Sequence, residues 1–163
     1  MNSLAKEFFD TLERNTGIIM QQAEGLSHDD SCLQAPFRSN CFNWVLGHIV
    51  NSRNSMLRAM AAEDQQVGDV ETLRSRYGRD SQPIEQADQG EDFIVLQALL
   101  KEAEVQLKAK MDRLSEADWT RMINAEKGTS LEEWIRFLIW HEAYHTGQTE
   151  ILRQLAGTDD HII

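Results

Sequence analysis

Proline is scarce in this chain, and that scarcity is the feature that most constrains its fold. Only Pro36 and Pro83 occur in 163 residues, and both lie in polar segments. Long stretches therefore contain no helix breaker. Apolar residues recur in them at intervals of three and four, and no segment alternates strongly with a period of two. The pattern predicts an all-α protein built from long amphipathic helices.

Four long helices are predicted, over residues 4–24, 41–63, 91–114 and 131–156. The last is the clearest, because Ser130 and Glu133 form a capping box and Gly157 is a natural C-terminal cap. Residues 64–90 form the longest break, and such a connection in a compact domain is often functional. We expect one domain, residues 1–163, folded as an up-and-down four-helix bundle with this long connection between helices two and three.

Charge and composition restrict the partners and the location. The chain has 27 acidic and 16 basic residues, a net charge of −11, and no run of Lys or Arg. We therefore do not expect binding to nucleic acid. No apolar stretch is long enough to span a membrane, and the N-terminus lacks an export signal. Cys32 and Cys41 are expected to be reduced thiols of a cytoplasmic protein, with a disulfide between them as the alternative.

The last predicted helix carries two histidines on its apolar face. On a helical wheel His141 and His145 fall within the arc of the apolar residues Leu131, Trp134, Leu138 and Leu152. Their spacing stacks them about 6 Å apart along the axis, so that two imidazole nitrogens can converge on one metal ion. Histidines inside a protein also serve as hydrogen-bonded core residues. The pair alone leaves both interpretations open.

The same segment reads HEAYH and matches the H-E-x-x-H pattern of zinc peptidases, in which Glu142 would be the general base. We do not expect a peptidase. Few residues follow His145 to supply a third ligand, Gln148 stands where the extended motif has Gly, and no predicted strand could hold an extended peptide. Glu142 lies about 80° from the centre of the histidine arc, so its simplest interpretation is an ordinary carboxylate on the flank of the helix.

A catalytic zinc site takes three protein ligands, so a third histidine is needed. His28 lies in a polar connection and His161 near the end of the chain, and both are expected to be solvated. His48 lies within the second helix, roughly opposite its apolar arc. The face around it carries Cys41, Trp44, Asn51, Ser52 and Ser55. The pattern alone favours an exposed His48, with a polar pocket as the alternative.

Two segments resemble a known family. The stretch HEAYHTGQTEILRQLAG is similar to the signature near the C-terminus of the DinB-like (damage-inducible) family, which is related to the YfiT-like metal hydrolases. The stretch FNWVLGHIVNSRNSML is similar to that family's first histidine segment. The helix order and the long connection are compatible with the family over essentially the whole chain. Carried over by position, the resemblance implies a metal triad of His48, His141 and His145 in a four-helix bundle.

The resemblance also implies a function. Family members bind zinc, nickel or other divalent ions, some use low-molecular-weight thiols as cosubstrates, and dimers are common. It thus implies a metal-dependent enzyme acting on a small molecule, of the thiol-dependent transferase or the hydrolase type. A non-catalytic metal-binding or stress-response protein is the alternative. Zinc and nickel are the expected ions, although three histidines also suit copper and iron.

Residues around the histidine pair have expected supporting roles. Gln148 lies on the histidine arc about one turn beyond His145 and is the first candidate to orient an imidazole, followed by Tyr144. Ile139 and Trp140 lie away from the arc among polar neighbours. They indicate a second packing surface, either a contact in a homodimer or one with a neighbouring helix of the same chain.

Overall fold

The structure, a computed structural model, describes residues 2–158, and the predicted predominance of helix is confirmed. The α-helices in this range are α1 (Ser3–Ala23), α2 (His28–Ser31), α3 (Phe42–Ala59), α4 (Val70–Tyr77), α5 (Phe93–Met111), α6 (Glu116–Thr120) and α7 (Leu131–Leu155). The 3₁₀ turns are Glu63–Gln65 and Ala87–Gln89. The strands β1 (Met122–Asn124) and β2 (Thr129–Ser130) pair antiparallel just before α7. His161 lies outside the described residues.

Local signals explain where the long helices begin and end. At the start of α1, the Asn2 side chain accepts a hydrogen bond of 2.8 Å from the Ala5 N–H. The predicted capping box of α7 is present, because Ser130 and Glu133 each bond the other's backbone N–H. Beyond the other end of α7, Gly157 has a φ of 88°, the left-handed conformation of a helix-ending glycine. No helix in residues 2–158 is both long and apolar enough to cross a membrane.

The helices α3 and α5 run in the same direction, so the strictly alternating order predicted for the bundle is wrong for this pair. The Phe42 and Phe93 rings meet at one end, with centroids 5.2 Å apart. At the other end, Lys110 Nζ donates to the Ala61 carbonyl at 3.1 Å. The predicted long connection explains this arrangement. Residues 60–92 are numerous enough to return the chain along the full length of α3 before α5 begins.

Each of α1 and α3 packs against both α5 and α7, and the four helices enclose the apolar core. The core has two clusters, one toward each end. One cluster includes Ile19, Phe42, Leu46, Phe93 and Leu152. The other includes Phe8, Leu57, Met111, Leu131 and Ile135. Cys32 and Cys41 are buried free thiols, as predicted.

A buried arginine lies between the two clusters and connects the four long helices. Arg53 of α3 donates to the Leu12 carbonyl and the Thr16 hydroxyl of α1, and to the Leu100 carbonyl of α5. Its guanidinium also donates to both carboxylate oxygens of Glu142 in α7, at 3.0 and 2.8 Å. This network satisfies the buried charge, without which its burial would be strongly unfavourable.

Candidate metal centre

Three imidazole nitrogens meet at one point between α3 and α7. His48 comes from the second turn of α3, and His141 and His145 come from successive turns of α7. The Nε2 atom of His141 lies 3.3 Å from Nε2 of His48 and 3.1 Å from Nε2 of His145. One nitrogen from each ring lies within 4.8 Å of the other two. The fold thus brings together the three residues that the family resemblance implies.

His48 is buried, with only 7% of its surface exposed, so the exposed position favoured by the helical wheel is wrong. The helical wheel takes into account only the apolar face of α3, which packs against α5 and α7. The opposite face is covered as well, because α4 packs against α3. The Trp44 ring, one turn earlier in α3, stacks on the His48 imidazole with centroids 4.6 Å apart and planes 11° from parallel. The small polar face therefore lines a pocket.

The end of α4 fixes the orientation of His48. Its Nδ1 lies 2.6 Å from the backbone carbonyl oxygen of Tyr77, which can only accept, so Nδ1 carries the proton. The Tyr77 ring itself packs over Gly47. A Cβ atom at Gly47 would lie inside the contact distance of that ring, so only glycine permits this approach. Gly47 thereby allows α4 to come close enough to hold the neighbouring imidazole.

Gln148 is the partner of His145, as predicted from its position on the histidine arc. The His145 Nδ1 atom lies 2.7 Å from Gln148 Oε1, to which it donates. The Tyr144 ring lies at the edge of the His145 ring, with centroids 5.3 Å apart, and makes no hydrogen bond to it. His48 and His145 thus both carry their proton on Nδ1, and both present the lone pair of Nε2 to the central point.

Burial keeps these imidazoles neutral. Desolvation lowers the pKa of His48, opposed by the bond to the Tyr77 carbonyl. Desolvation also lowers the pKa of His145 to about 4. The pKa of His141 is lowered by desolvation and further by the charges of His48 and Arg79. Neutral imidazole is the form that binds a metal ion, so the donor set suits one.

The third ring has an unsatisfied atom. The Nδ1 atom of His141 is buried and has no hydrogen-bond partner among the described residues. No protein acceptor therefore fixes which nitrogen of His141 carries the proton. The Nε2 lone pairs of His48 and His145 lie 3.3 and 3.1 Å from the Nε2 atom of His141, and a cation among the three nitrogens would be attracted by those lone pairs. The three residues could hold one metal ion.

Glu142 does not belong to this centre. Its carboxylate is fully buried and bonded to Arg53, and Asn15 Nδ2 donates to Oε1 at 3.2 Å. The interpretation of Glu142 as an ordinary flank carboxylate is wrong. The general-base role that the H-E-x-x-H pattern would give it is unsupported, because both carboxylate oxygens are already engaged inside the core.

The remaining candidates lie away from the triad. His28 is partly buried rather than solvated, since its Nε2 bonds the Ala87 carbonyl at 2.9 Å. The Cys41 thiol lies 3.7 Å from the Ile84 carbonyl oxygen, which agrees with its prediction as a non-ligand.

Of the two residues predicted to form a second packing surface, Ile139 is a buried member of the core, whereas Trp140 is 64% exposed. Of Ile139 and Trp140, only Trp140 can therefore contact a partner. The homodimer stays a prediction.

A cavity of about 540 Å³ opens onto the three imidazoles. Its lining includes the apolar side chains of Trp44, Phe137 and Leu138. The polar residues of the lining, besides the histidines, are Asn40, Asn51, Ser52, Ser55 and Arg79. None of the described residues that line it is Asp or Glu. Among the described lining residues, the three histidines are therefore the only side chains that carry a titratable proton acceptor.

Sequence reasoning did not find Tyr77, Gly47 or Arg79. Tyr77 acts through its backbone carbonyl and so leaves no side-chain signal. Gly47 did carry one, because a glycine in the middle of a predicted helix usually has a packing reason, and it directly precedes His48. Arg79 lies in the long connection, whose path the sequence does not predict.

The fold and the site define a class: a predominantly helical protein in which histidines from two helices form a candidate metal centre. A family model of the DinB superfamily matches residues 11–149, a range that includes all three histidines. The chain belongs to the DinB superfamily. A comparison with curated proteins found no significant match.

Proposed function

We propose that His48, His141 and His145 bind one divalent metal ion and that the protein is a cytoplasmic, metal-dependent enzyme acting on a small molecule. One observation carries this proposal: three Nε2 atoms converge in the wall of a cavity of about 540 Å³. A structural metal site is normally closed by four protein ligands, whereas a catalytic one keeps a position for water or substrate. Three ligands that face a cavity fit the second kind.

The spacing of the nitrogens supports the metal. Zinc binds histidine nitrogen at about 2.0–2.1 Å, so two tetrahedral ligands lie about 3.3 Å apart. The separations of 3.3 and 3.1 Å at His141 are close to that value, and the nitrogens of His48 and His145 lie within 4.8 Å of each other. Nickel is the other ion that we propose, because imidazole suits both and availability contributes to the choice.

When bound, a divalent ion in this donor set would lower the pKa of a bound thiol or water and polarise a carbonyl group. The protein contributes orientation. The Tyr77 carbonyl and Gln148 hold two rings with Nε2 toward the centre, and the Trp44 ring covers one face of the His48 imidazole. No carboxylate is at hand among the described lining residues, so the nucleophile must be activated without one.

Thiol transfer and hydrolysis can both proceed with a nucleophile that is activated by a metal ion and not by a carboxylate base. In the first, a low-molecular-weight thiol would release its proton to solvent, and its sulfur would bond to an electrophilic carbon of the small molecule as the bond to a leaving group breaks. In the second, water would do the same through its oxygen, and the leaving group would depart with a proton from solvent. We propose thiol transfer as the first class to test, because a thiol has a pKa near 8.5 and is much easier to deprotonate than water. The thiol is then a cosubstrate.

The test has two stages. Elemental analysis of untagged protein should give about one divalent ion per chain, lost in His48→Ala and His141→Ala. The variant His28→Ala is the matched control and should retain the ion, since His28 lies away from the triad. The loaded protein is then assayed with small thiols and electrophiles. Equal metal content in the wild-type and His141→Ala proteins would refute the site. Equal turnover by metal-loaded wild type and His141→Ala would refute its catalytic role.

The second candidate function is a non-catalytic metal-binding or stress-response protein. The observation that favours it is the absence of Asp and Glu from the described lining of the cavity, since many metal hydrolases use a carboxylate base. It predicts stoichiometric uptake of metal with no turnover of any thiol, electrophile or ester.

A further inference from the structure

A basic recess opens beside the histidine cavity. It has a volume of about 180 Å³ and shares Asn51, Ser55 and Arg79 with the cavity, so the two spaces adjoin. Arg58 from the end of α3 and Arg74 from α4 also line it. Among the described residues around the recess there is no Asp or Glu. Three arginines, all exposed to solvent, therefore line one small space.

These three arginines have no carboxylate partner within residues 2–158. The chain has 27 acidic residues to 16 basic ones, so an arginine usually finds a counter-charge nearby. Arg76, between Arg74 and Arg79 in the sequence, pairs with Glu91 at 3.7 Å. On α7, Arg136 contacts two carboxylates. Like charges gathered without a counter-ion repel one another, and an anion in the recess would relieve that repulsion.

Two of the three amide side chains around the recess, those of Asn54 and Gln66, are already hydrogen-bonded. The Asn54 side chain bonds both the N–H and the carbonyl of Val67. The Gln66 amide donates to the Asn54 backbone carbonyl at 3.0 Å. These bonds hold the connection against α3 and leave the Asn51 amide and the three guanidinium groups as the donors available to a ligand. The planar geometry of the guanidinium groups matches a carboxylate or a phosphate, each of which accepts two parallel hydrogen bonds.

One tight turn links the recess to the metal centre. A Cβ atom at Gly78 would collide with the Arg74 carbonyl, so only glycine permits this close turn at the end of α4. The residue before it, Tyr77, orients His48 through its carbonyl, and the residue after it, Arg79, lines both spaces. Three consecutive residues thus hold an imidazole of the triad and present a cation beside it.

We propose that the recess binds the anionic group, a carboxylate or a phosphate, of the small molecule that reacts at the histidine triad. This inference rests on the proposed function and names its substrate class. The overall charge of −11 disfavours a polyanion, and 180 Å³ suits a single anionic group. The positive charge is assembled from residues distant in sequence, so a search for Lys and Arg runs cannot find it.

The experiment measures anion binding to metal-free protein, so that no anion can bind through the ion. Untagged protein is treated with a chelator and titrated calorimetrically with inorganic phosphate and, in a second arm, with malonate, at constant ionic strength. We expect saturable binding that weakens at least tenfold in Arg79→Gln and in Arg74→Gln. The matched control is Arg113→Gln, which removes the same charge from an exposed site outside the recess and should change the affinity less than twofold.

The two arms distinguish the anionic groups. Tighter binding of phosphate assigns a phosphate monoester, and tighter binding of malonate assigns a carboxylate. No saturable binding of either probe, or an equal loss in Arg113→Gln, would overturn the proposal. Elemental analysis of the same variants keeps the two proposals separate, because Arg79→Gln should retain the wild-type metal content. A triad that binds no metal would leave the anion result unchanged.

Discussion

Glu142 of α7 and Arg53 of α3 form a two-bond ion pair at the centre of the protein, and neither side chain is exposed at all. One turn of α7 therefore serves two purposes. His141 and His145 face the cavity, while the carboxylate between them in sequence faces the core. The pair fixes α7 against α3, the two helices that supply the triad, and so supports the spacing of the three imidazoles.

Replacement of Glu142 by Gln should destabilise the protein by about 3–5 kcal/mol, because it leaves the Arg53 charge buried without its counter-charge. Urea unfolding followed by circular dichroism measures the free energy of unfolding. The double replacement of Arg53 by Met and Glu142 by Leu should be less harmful than the single change. As a control, Arg136→Gln breaks two exposed ion pairs and should cost less than about 1 kcal/mol. A loss below about 1 kcal/mol in Glu142→Gln would contradict this account.

The sequence predicted the four long helices because each has a strong apolar period, and α7 in addition has clear caps. It did not predict the role of Glu142. A wheel places a residue relative to one apolar arc, whereas α7 packs against both α1 and α3 and so buries a wider face. The partner, Arg53, lies 89 residues earlier in the chain. Such a pairing depends on tertiary packing, and no local pattern in a single sequence predicts it.

The burial of His48 also depends on tertiary packing that its local sequence does not predict. Its local pattern indicated exposure, and only the family resemblance placed it with the histidines of α7. The cover over it comes from Tyr77, whose carbonyl is 29 residues away in sequence. The parallel packing of α3 and α5 has a similar origin. A long connection is visible in the sequence, but its length permits either direction for the helix that follows.

Replacement of Gly47 by Ala should weaken metal binding by about 10–100-fold, the usual effect of disturbing a residue that orients a ligand. The added methyl group would displace the Tyr77 ring and, with it, the carbonyl that holds His48. Competition with a chromophoric chelator measures the affinity. Gly147→Ala is the matched control, because nothing lies within 4 Å of a Cβ atom there. It should leave the affinity unchanged and stabilise α7 by up to about 1 kcal/mol. Equal affinities in the two variants would exclude the proposed role of Gly47.

The homodimer predicted from the sequence would use the aromatic face of α7. The Phe137, Trp140 and Tyr144 side chains lie in a row, with successive ring centroids 6.0 and 6.4 Å apart, and all three are largely exposed. We expect a dimer in sedimentation velocity experiments and a monomer for Trp140→Ser. The control Val105→Ser removes an equally exposed apolar side chain, 64% in each case, from α5. A wild-type monomer, or the same shift in both variants, would rule out this interface.

The stability of the metal-free protein should fall as the pH is lowered from about 6.5 toward 4. The folded-state pKa of His145 is about 4, against 6.5 for a free imidazole, because burial disfavours the charged ring. Between these values the unfolded chain binds more protons, so acid favours unfolding; above about 6.5 the contribution is fully present.

For the partly exposed His145 ring this contribution is roughly 2 kcal/mol after an allowance for solvent screening. His48 and His141 act in the same direction, since the pKa of each is lowered. Urea unfolding of chelator-treated protein between pH 7 and pH 5 tests this dependence, in a range where most carboxylates remain ionised. The slope of the unfolding free energy against pH should be smaller in His145→Gln than in wild type. Parallel slopes would show that the ring is not held neutral by burial.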